Sequence, residues 1–169
     1  ISSNKAGDIL FFTNNYGSDK NEKLTIYYTT KAKNGQWSKP LPFVYNNDKH
    51  NTTHPFYDEA NNMLYFASDM AGGFGGRDLW STSYDRKSES WSAPVNLGPE
   101  INTKGNELFP TFAMNGDLFF ATDGRAGLGG LDIFRAKKVG EENKWENPTN
   151  LGSPINGYNN DYALIEKDE

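Results

Sequence analysis

Two glycine-rich stretches set between aspartates are the first residues whose types and spacing suggest chemistry. Gly72-Gly73-Phe74-Gly75-Gly76 lies between Asp69 and Asp78, and the run from Gly124 to Gly130 lies between Asp123 and Asp132. Backbone N–H groups in such turns can converge on an anion, as they do in phosphate-binding loops. The sequence has no G-x-x-x-x-G-K-[ST], so a nucleotide loop of that kind is unsupported. No helical pattern follows the glycines, which removes a dinucleotide-binding reading. The structural alternative is that the glycines supply positive φ angles and close backbone approach in a tight connection. A ligand site needs one special loop, whereas packing needs the same loop in each copy. The turn occurs twice, so the glycines read as architecture.

The aspartates read the same way. Asp78 and Asp132 each open an apolar run and are placed to accept backbone N–H bonds within the turn. Calcium is the functional alternative, because carboxylates and carbonyls are its ligands, but the Asp69…Asp78 spacing matches no calcium loop. His50 and His54, the only two histidines, stand four apart in DKHNTTHP. On a helix that spacing binds zinc; here two threonines and Pro55 point to a loop and a strand start. No metal and no cofactor is expected. A Ser-His-Asp triad is possible by count, yet no G-x-S-x-G elbow accompanies it. Ser68-Asp69 and Thr122-Asp123 loosely resemble the Asp-box of sialidases, with the wrong spacing to the following aromatic and no arginine cluster for a substrate carboxylate. Glycoside hydrolysis further needs two carboxylates at a set separation across the scissile bond. The expectation is that the chain is not an enzyme.

Composition narrows the partners. The net charge of −5 and the absence of a basic run argue against a nucleic-acid backbone binder. The absence of cysteine excludes disulfides and thiolate sites without fixing a compartment. No stretch approaches the roughly 18–20 apolar residues of a membrane span. The start, ISSNKAGD, shows no leader pattern, and the chain reads as a mature or excised segment. Apolar residues make up only 36%, but aromatics reach 14%, enough to build a core from a few large side chains.

The elements that must position these residues repeat. Trp37, Trp91 and Trp145 recur at a spacing of 54, as do Pro40, Pro94 and Pro148. Leu10-Phe11-Phe12, Leu64-Tyr65-Phe66 and Leu118-Phe119-Phe120 keep the same register. The last two copies also align Asp69 with Asp123, Gly75-Gly76 with Gly129-Gly130, Asp78 with Asp132, Asn96-Leu97-Gly98 with Asn150-Leu151-Gly152, and Ile101-Asn102 with Ile155-Asn156. The first copy lacks the glycine pairs, and Pro42–Asp48 replaces its Asn-Leu-Gly segment. Each unit reads as four short strands: 63–68 and 117–122, 78–84 and 132–137, 91–97 and 145–151, and 108–113 before an Asn-Gly turn. The internal Pro places 91–97 and 145–151 on a sheet edge. No window is helical.

Four antiparallel strands per unit at this period point to an all-β chain of β-propeller blades. About three blades are expected: 8–50, 51–105 and 106–160, followed by a spare inner strand at 161–166. Trp80, Phe134 and the outer Trp37, Trp91 and Trp145 are expected to pack between sheets. Residues 1–7 are too short and polar to supply the first blade's inner strand. Three blades are fewer than a usual ring, so flanking blades lie outside this chain, or two chains form a six-bladed ring in which Asp161–Ile165 of each completes the partner's first blade.

The pattern L-[YF]-F-[AT]-[ST]-D, G-G-x-D-[LI]-[WF] and W-x-x-P-x-N-L-G-x-x-I-N resembles the WD-like propeller repeats related to TolB. It is similar in particular to copies in Bacteroidetes envelope proteins that carry OmpA-like peptidoglycan-binding domains, among them the type IX secretion and gliding lipoproteins of the PorE/SprE kind. The resemblance is strong over 63–157 and weak over 1–50. It implies a periplasmic, outer-membrane-associated scaffold that binds protein partners.

In a propeller, the loops between strands two and three emerge beside those leading into the next inner strand. That places Asp69, Arg77, Glu107, Asp123, Arg125 and Asp161 on one rim. This face is the expected partner-binding surface, because binding residues concentrate on loops held by a rigid scaffold. A carbohydrate-active or carbohydrate-binding propeller is the second expectation.

Overall fold

The computed structural model describes residues 1–15, 23–140 and 144–165. Among them the chain is all-β, with thirteen strands in three antiparallel sheets and no helix. The first sheet has the order β1-β2-β3-β4, from Ser2–Ser3, Ile9–Asn14, Thr25–Thr30 and Leu41–Pro42. The second runs β5 (Thr52–Asp58), β6 (Met63–Ser68), β7 (Asp78–Asp85) and β8 (Ser90–Trp91), with β9 (Val95–Asn96) also paired to β7. The third is β10 (Glu107–Phe112), β11 (Leu118–Thr122), β12 (Asp132–Ala136) and β13 (Thr149–Asn150). Aromatic and β-branched runs make the second and third strands of each sheet, because such side chains fit a pleated, half-buried surface.

Three expectations need correction. Residues 1–7 do supply an inner strand: Ser2 pairs with Phe11 and Ser3 with Leu10. The hairpin closes because the Asn4 carboxamide oxygen accepts both Asp8 and Ile9 N–H groups, so polarity is spent on the turn. The outer strands 91–97 and 145–151 are not continuous. Trp91 and Asn96 belong to separate two-residue strands on either side of Pro94, and only Thr149–Asn150 is a strand after Pro148. Proline has no N–H for the ladder, so pairing lapses around it. The segment 161–165 is not assigned as a strand, and residue 166 lies outside the described residues.

The inner strands share one irregularity. The β5–β6 register shifts between Thr53 and Phe56, and the β10–β11 register between Leu108 and Thr111. His54 and Phe109 sit at those points with φ of 51° and 52°, and Ala163 repeats the geometry at 63°. The 161–165 segment thus shares one backbone feature with the inner strands.

The chain divides into two compact units, residues 1–70 with 80–95, and residues 71–79 with 96–169. The first is organised around Phe11, Ile26, Phe43, Leu64, Phe66 and Trp80. The second buries Leu97, Ile101, Leu118, Phe120, Ile133 and Phe134. Trp145 is buried near Phe112, centroids 6.1 Å apart. Trp91 meets Phe43 edge-on at 5.8 Å. Trp37 departs from the expectation: it is 42% exposed, with the Lys31 ammonium 5.7 Å from its ring centre.

Candidate functional site

The glycine turns of the second unit are built around their buried aspartates. Asp78 Oδ2 accepts the Phe74 N–H at 2.6 Å and an Asn96 amide hydrogen at 2.8 Å. Asp132 Oδ2 accepts the Leu128 N–H at 2.7 Å and the Gly129 N–H at 3.4 Å. Each carboxylate therefore folds its own loop, as the sequence suggests. A Cβ on Gly73 or Gly127 would run into that carboxylate, and one on Gly76 would stand 2.6 Å from Asn106 Oδ1. A Cβ on Gly75 would meet the Thr103–Lys104 backbone, and one on Gly129 the Asn159 carbonyl. Of the first turn's glycines only Gly72 has a positive φ, 96°. Close approach, rather than backbone conformation, is what most of these glycines provide.

The loop ahead of each inner strand carries an asparagine clamp. Asn106 donates its N–H to Asp123 Oδ1 at 2.6 Å and its amide to Asp123 Oδ2 at 2.9 Å, while its Oδ1 accepts Arg77 N–H at 3.1 Å. The Glu107 N–H then reaches the Arg77 carbonyl at 2.6 Å. Asn160 and Asp161 repeat the last two bonds with Leu131, at 2.8 and 2.7 Å. In the first unit Asn51 donates to both oxygens of Asp69, at 2.5 and 2.8 Å, and accepts the Leu24 N–H at 3.1 Å. Burial pushes the Asp69 carboxyl up, but the Asn51 side-chain and backbone bonds outweigh it and hold the group below its usual value.

A second asparagine closes each repeat. Asn102 accepts Leu79 N–H at 2.7 Å and donates to Leu79 C=O at 3.0 Å, and Asn156 does the same for Ile133 at 2.8 and 2.9 Å. Asn46 makes the equivalent pair with Ile26, at 3.1 and 2.6 Å. The first repeat therefore keeps this device despite its altered Pro42–Asp48 sequence. Asn46 stands 56 residues before Asn102 rather than 54, which hid it from the fixed period.

The expected rim residues fall in both units. Asp69 belongs to the first unit and is exposed; Arg77, Glu107, Asp123, Arg125 and Asp161 belong to the second. Glu107 is not a surface group: it is 0% exposed. Its Oε1 accepts the Thr103 and Thr122 hydroxyls at 2.6 and 2.8 Å, and its Oε2 accepts Thr103 N–H at 2.9 Å. Burial pushes its pKa up against those bonds. Arg125 donates to the Glu100 and Ile101 carbonyls, with its guanidinium 6.0 Å from the Phe134 ring centre. Burial lowers its pKa, and the Glu107 charge opposes that. Asp161 Oδ2 accepts Gly157 N–H at 2.7 Å. Arg77 is engaged through its backbone. Apart from Arg77, these charged side chains bond within the loops.

The same loops present apolar groups that charge-based reasoning passes over. Phe74 and Leu128, 54 residues apart between flanking glycines, are 48% and 49% exposed, and Tyr158 is 92% exposed. The available signal was an apolar residue held inside a glycine turn in both copies.

The Ser68 hydroxyl donates to the Asn51 carbonyl at 2.6 Å, whereas His50 Nδ1 stands 3.4 Å away. Asp69 is taken up by Asn51. Among the described residues no three His, Asp or Glu side chains gather as a metal site, and no helix is long and apolar enough to cross a membrane.

No family model and no curated protein matches the chain. A solved structure of a Mycobacterium tuberculosis puromycin-hydrolyzing peptidase is similar over 90% of this chain, with a TM-score of 0.56 and 16% identity. The chain spans 21% of that protein's length. At this identity the likeness concerns the fold alone.

Proposed function

We propose that the chain is a non-catalytic β-propeller segment that scaffolds a protein assembly, binding its partner through the glycine-turn loops of the second unit. The observation that carries this reading is the exposure of Phe74, Leu128 and Tyr158 on loops whose backbones are pinned by buried carboxylates and asparagines. Exposed apolar side chains on a rigid base supply contact area at little ordering cost. The carboxylates of these loops hold amides and hydroxyls of the chain itself, which supports a binding module over acid–base chemistry. The repeat's resemblance to envelope propellers supports an assembly in the periplasm of a Gram-negative bacterium, associated with the outer membrane, in a secretion, gliding or peptidoglycan-linked complex.

The test is capture of envelope proteins by the wild type and by a Phe74→Ser/Leu128→Ser variant with unchanged thermal unfolding. A partner retained by the first and lost by the second is expected. Equal capture by both would remove the loop face from the reading. Hits on a glycan array together with turnover of chromogenic glycosides would favour the carbohydrate-active alternative instead.

A further inference from the structure

A cavity of about 200 Å³ opens in the first unit, lined by Ile9, Phe11, Tyr28, Thr30, Tyr57, Tyr84 and Trp91. It lies at the start of β2 and the ends of β3, β5 and β7, the opposite strand ends from the Asp69 corner. Five of its seven lining residues are aromatic. Phe11 sits 5.1 Å from Tyr57 and 5.8 Å from Tyr28, and it meets Trp91 at 85°. Tyr84 stands 5.0 Å from Trp91. Ring planes at several angles surround the space, as they do in cages that bind methylated ammonium ions.

The repeat identifies what is special here. Each outer tryptophan faces a residue at the end of the third strand: Lys31 opposite Trp37, Tyr84 opposite Trp91 and Lys138 opposite Trp145. In the first repeat the lysine ammonium lies 5.7 Å from the indole centre, a cation–π contact internal to the chain. In the middle repeat that lysine is replaced by Tyr84, and the cavity opens there. Tyr28 also breaks the pattern. Measured from the asparagine-paired residues Ile26, Leu79 and Ile133, its counterparts are Ser81 and Arg135. Packing alone would not need an aromatic at the Tyr28 place in the first repeat only and at the Tyr84 place in the middle repeat only.

We propose that this cavity binds the trimethylammonium group of a choline-like solute, which takes the place of the missing lysine. Cation–π attraction is electrostatic and persists at half-buried sites. Asp58 and Glu59 follow Tyr57 in sequence and Asp85 follows Tyr84; Arg86 opposes them, its Nε held by Asn62 Oδ1 at 2.7 Å. Lys31, next to Thr30, is turned onto Trp37. Three carboxylates and one guanidinium thus stand next to these tyrosines along the chain. The wall offers a few hydroxyls among rings, which suits methyl groups better than a sugar bearing a hydroxyl on most carbons.

The test is calorimetric and NMR titration of the full chain with choline and with its neutral isostere 3,3-dimethylbutan-1-ol. Choline is expected to bind at least about tenfold more tightly than the isostere and to shift the Trp91 indole resonance. Tyr84→Lys, which installs the repeat's own residue, should abolish binding with unfolding unchanged. Tyr28→Ser should weaken it without that internal competitor. Cosedimentation with phosphatidylcholine vesicles distinguishes a lipid headgroup from a free solute as the source, and binding of either kind carries the assignment. Equal affinity for the isostere, no binding of choline or vesicles, or binding indifferent to Tyr84→Lys would overturn it.

Discussion

Glu107 shows how a residue placed correctly on a loop can be misjudged in role. The residues before it, Lys104-Gly105-Asn106, are those of a polar loop, and its counterparts are Thr52 and Asp161, so its own position reads as the loop's edge. In the structure it joins the loop ahead of β10 to the end of β11 through Thr103 and Thr122. Burial raises its pKa above the ordinary glutamate value, with the three bonds and the nearby Asp78 charge as smaller influences. Between the unfolded and the folded value, the native state holds the proton and the unfolded chain does not. Stability therefore falls as pH rises through that window and stays lower above it. Glu107→Gln should remove this decline. In denaturant titrations, the stability of the variant relative to wild type should increase from acid to neutral pH. Parallel pH profiles for the two proteins would show that Glu107 does not titrate within the fold. Asp69, held below its usual value, works in the opposite sense: its contribution is present near neutrality and is lost as pH falls through its folded value.

At the scale of the element, the second and third strands were legible because aromatic runs and a fixed 54-residue spacing mark them directly. Met63–Ser68 coincides with the expected strand, and Asp78–Asp85 and Asp132–Ala136 fall within one residue of it. What escaped depends on bonds rather than pattern. The inner strand Ser2–Ser3 has no apolar signal and is fixed by the Asn4 turn. The bulges at His54 and Phe109 place positive φ on residues that precede proline, a conformation no propensity suggests. The outer strands, broken around proline, are secured by asparagines whose side chains imitate a peptide group. Asn102 is 2% exposed and pairs both polar groups of Leu79. Its removal leaves the buried Leu79 N–H unmatched, while the Leu79 C=O keeps the Leu97 N–H at 3.0 Å. Asn102→Ala should therefore cost about 1–3 kcal/mol, the penalty for one orphaned buried group. Chemical denaturation measures this. A loss below about 1 kcal/mol would mean that water replaces the side chain.

For the whole molecule, the open question is whether the chain works singly or paired through exchanged inner strands. The exchange hypothesis rests on a vacant place beside β2 and a spare strand at 161–165. The first premise has weakened, because Ser2–Ser3 holds that place and the Tyr57 N–H bonds Ser2 Oγ at 2.9 Å. The spare segment is engaged as well: Asp161 N–H reaches Leu131 C=O at 2.7 Å, Thr111 donates its hydroxyl to Leu164 C=O at 2.8 Å, and Tyr162 stacks on Phe109 at 4.8 Å. An exchange must break these contacts at both ends before it forms new ones. Sedimentation equilibrium should therefore give the monomer mass of 18.9 kDa. Deleting residues 1–3 bares the Leu10–Phe11 edge of β2, and an unpaired edge is a template for a second chain. The truncated chain should gain a concentration-dependent dimer, which a further deletion of 161–169 abolishes. A full-length chain that sediments at twice the monomer mass, and loses this on removal of 161–169, would restore the paired ring.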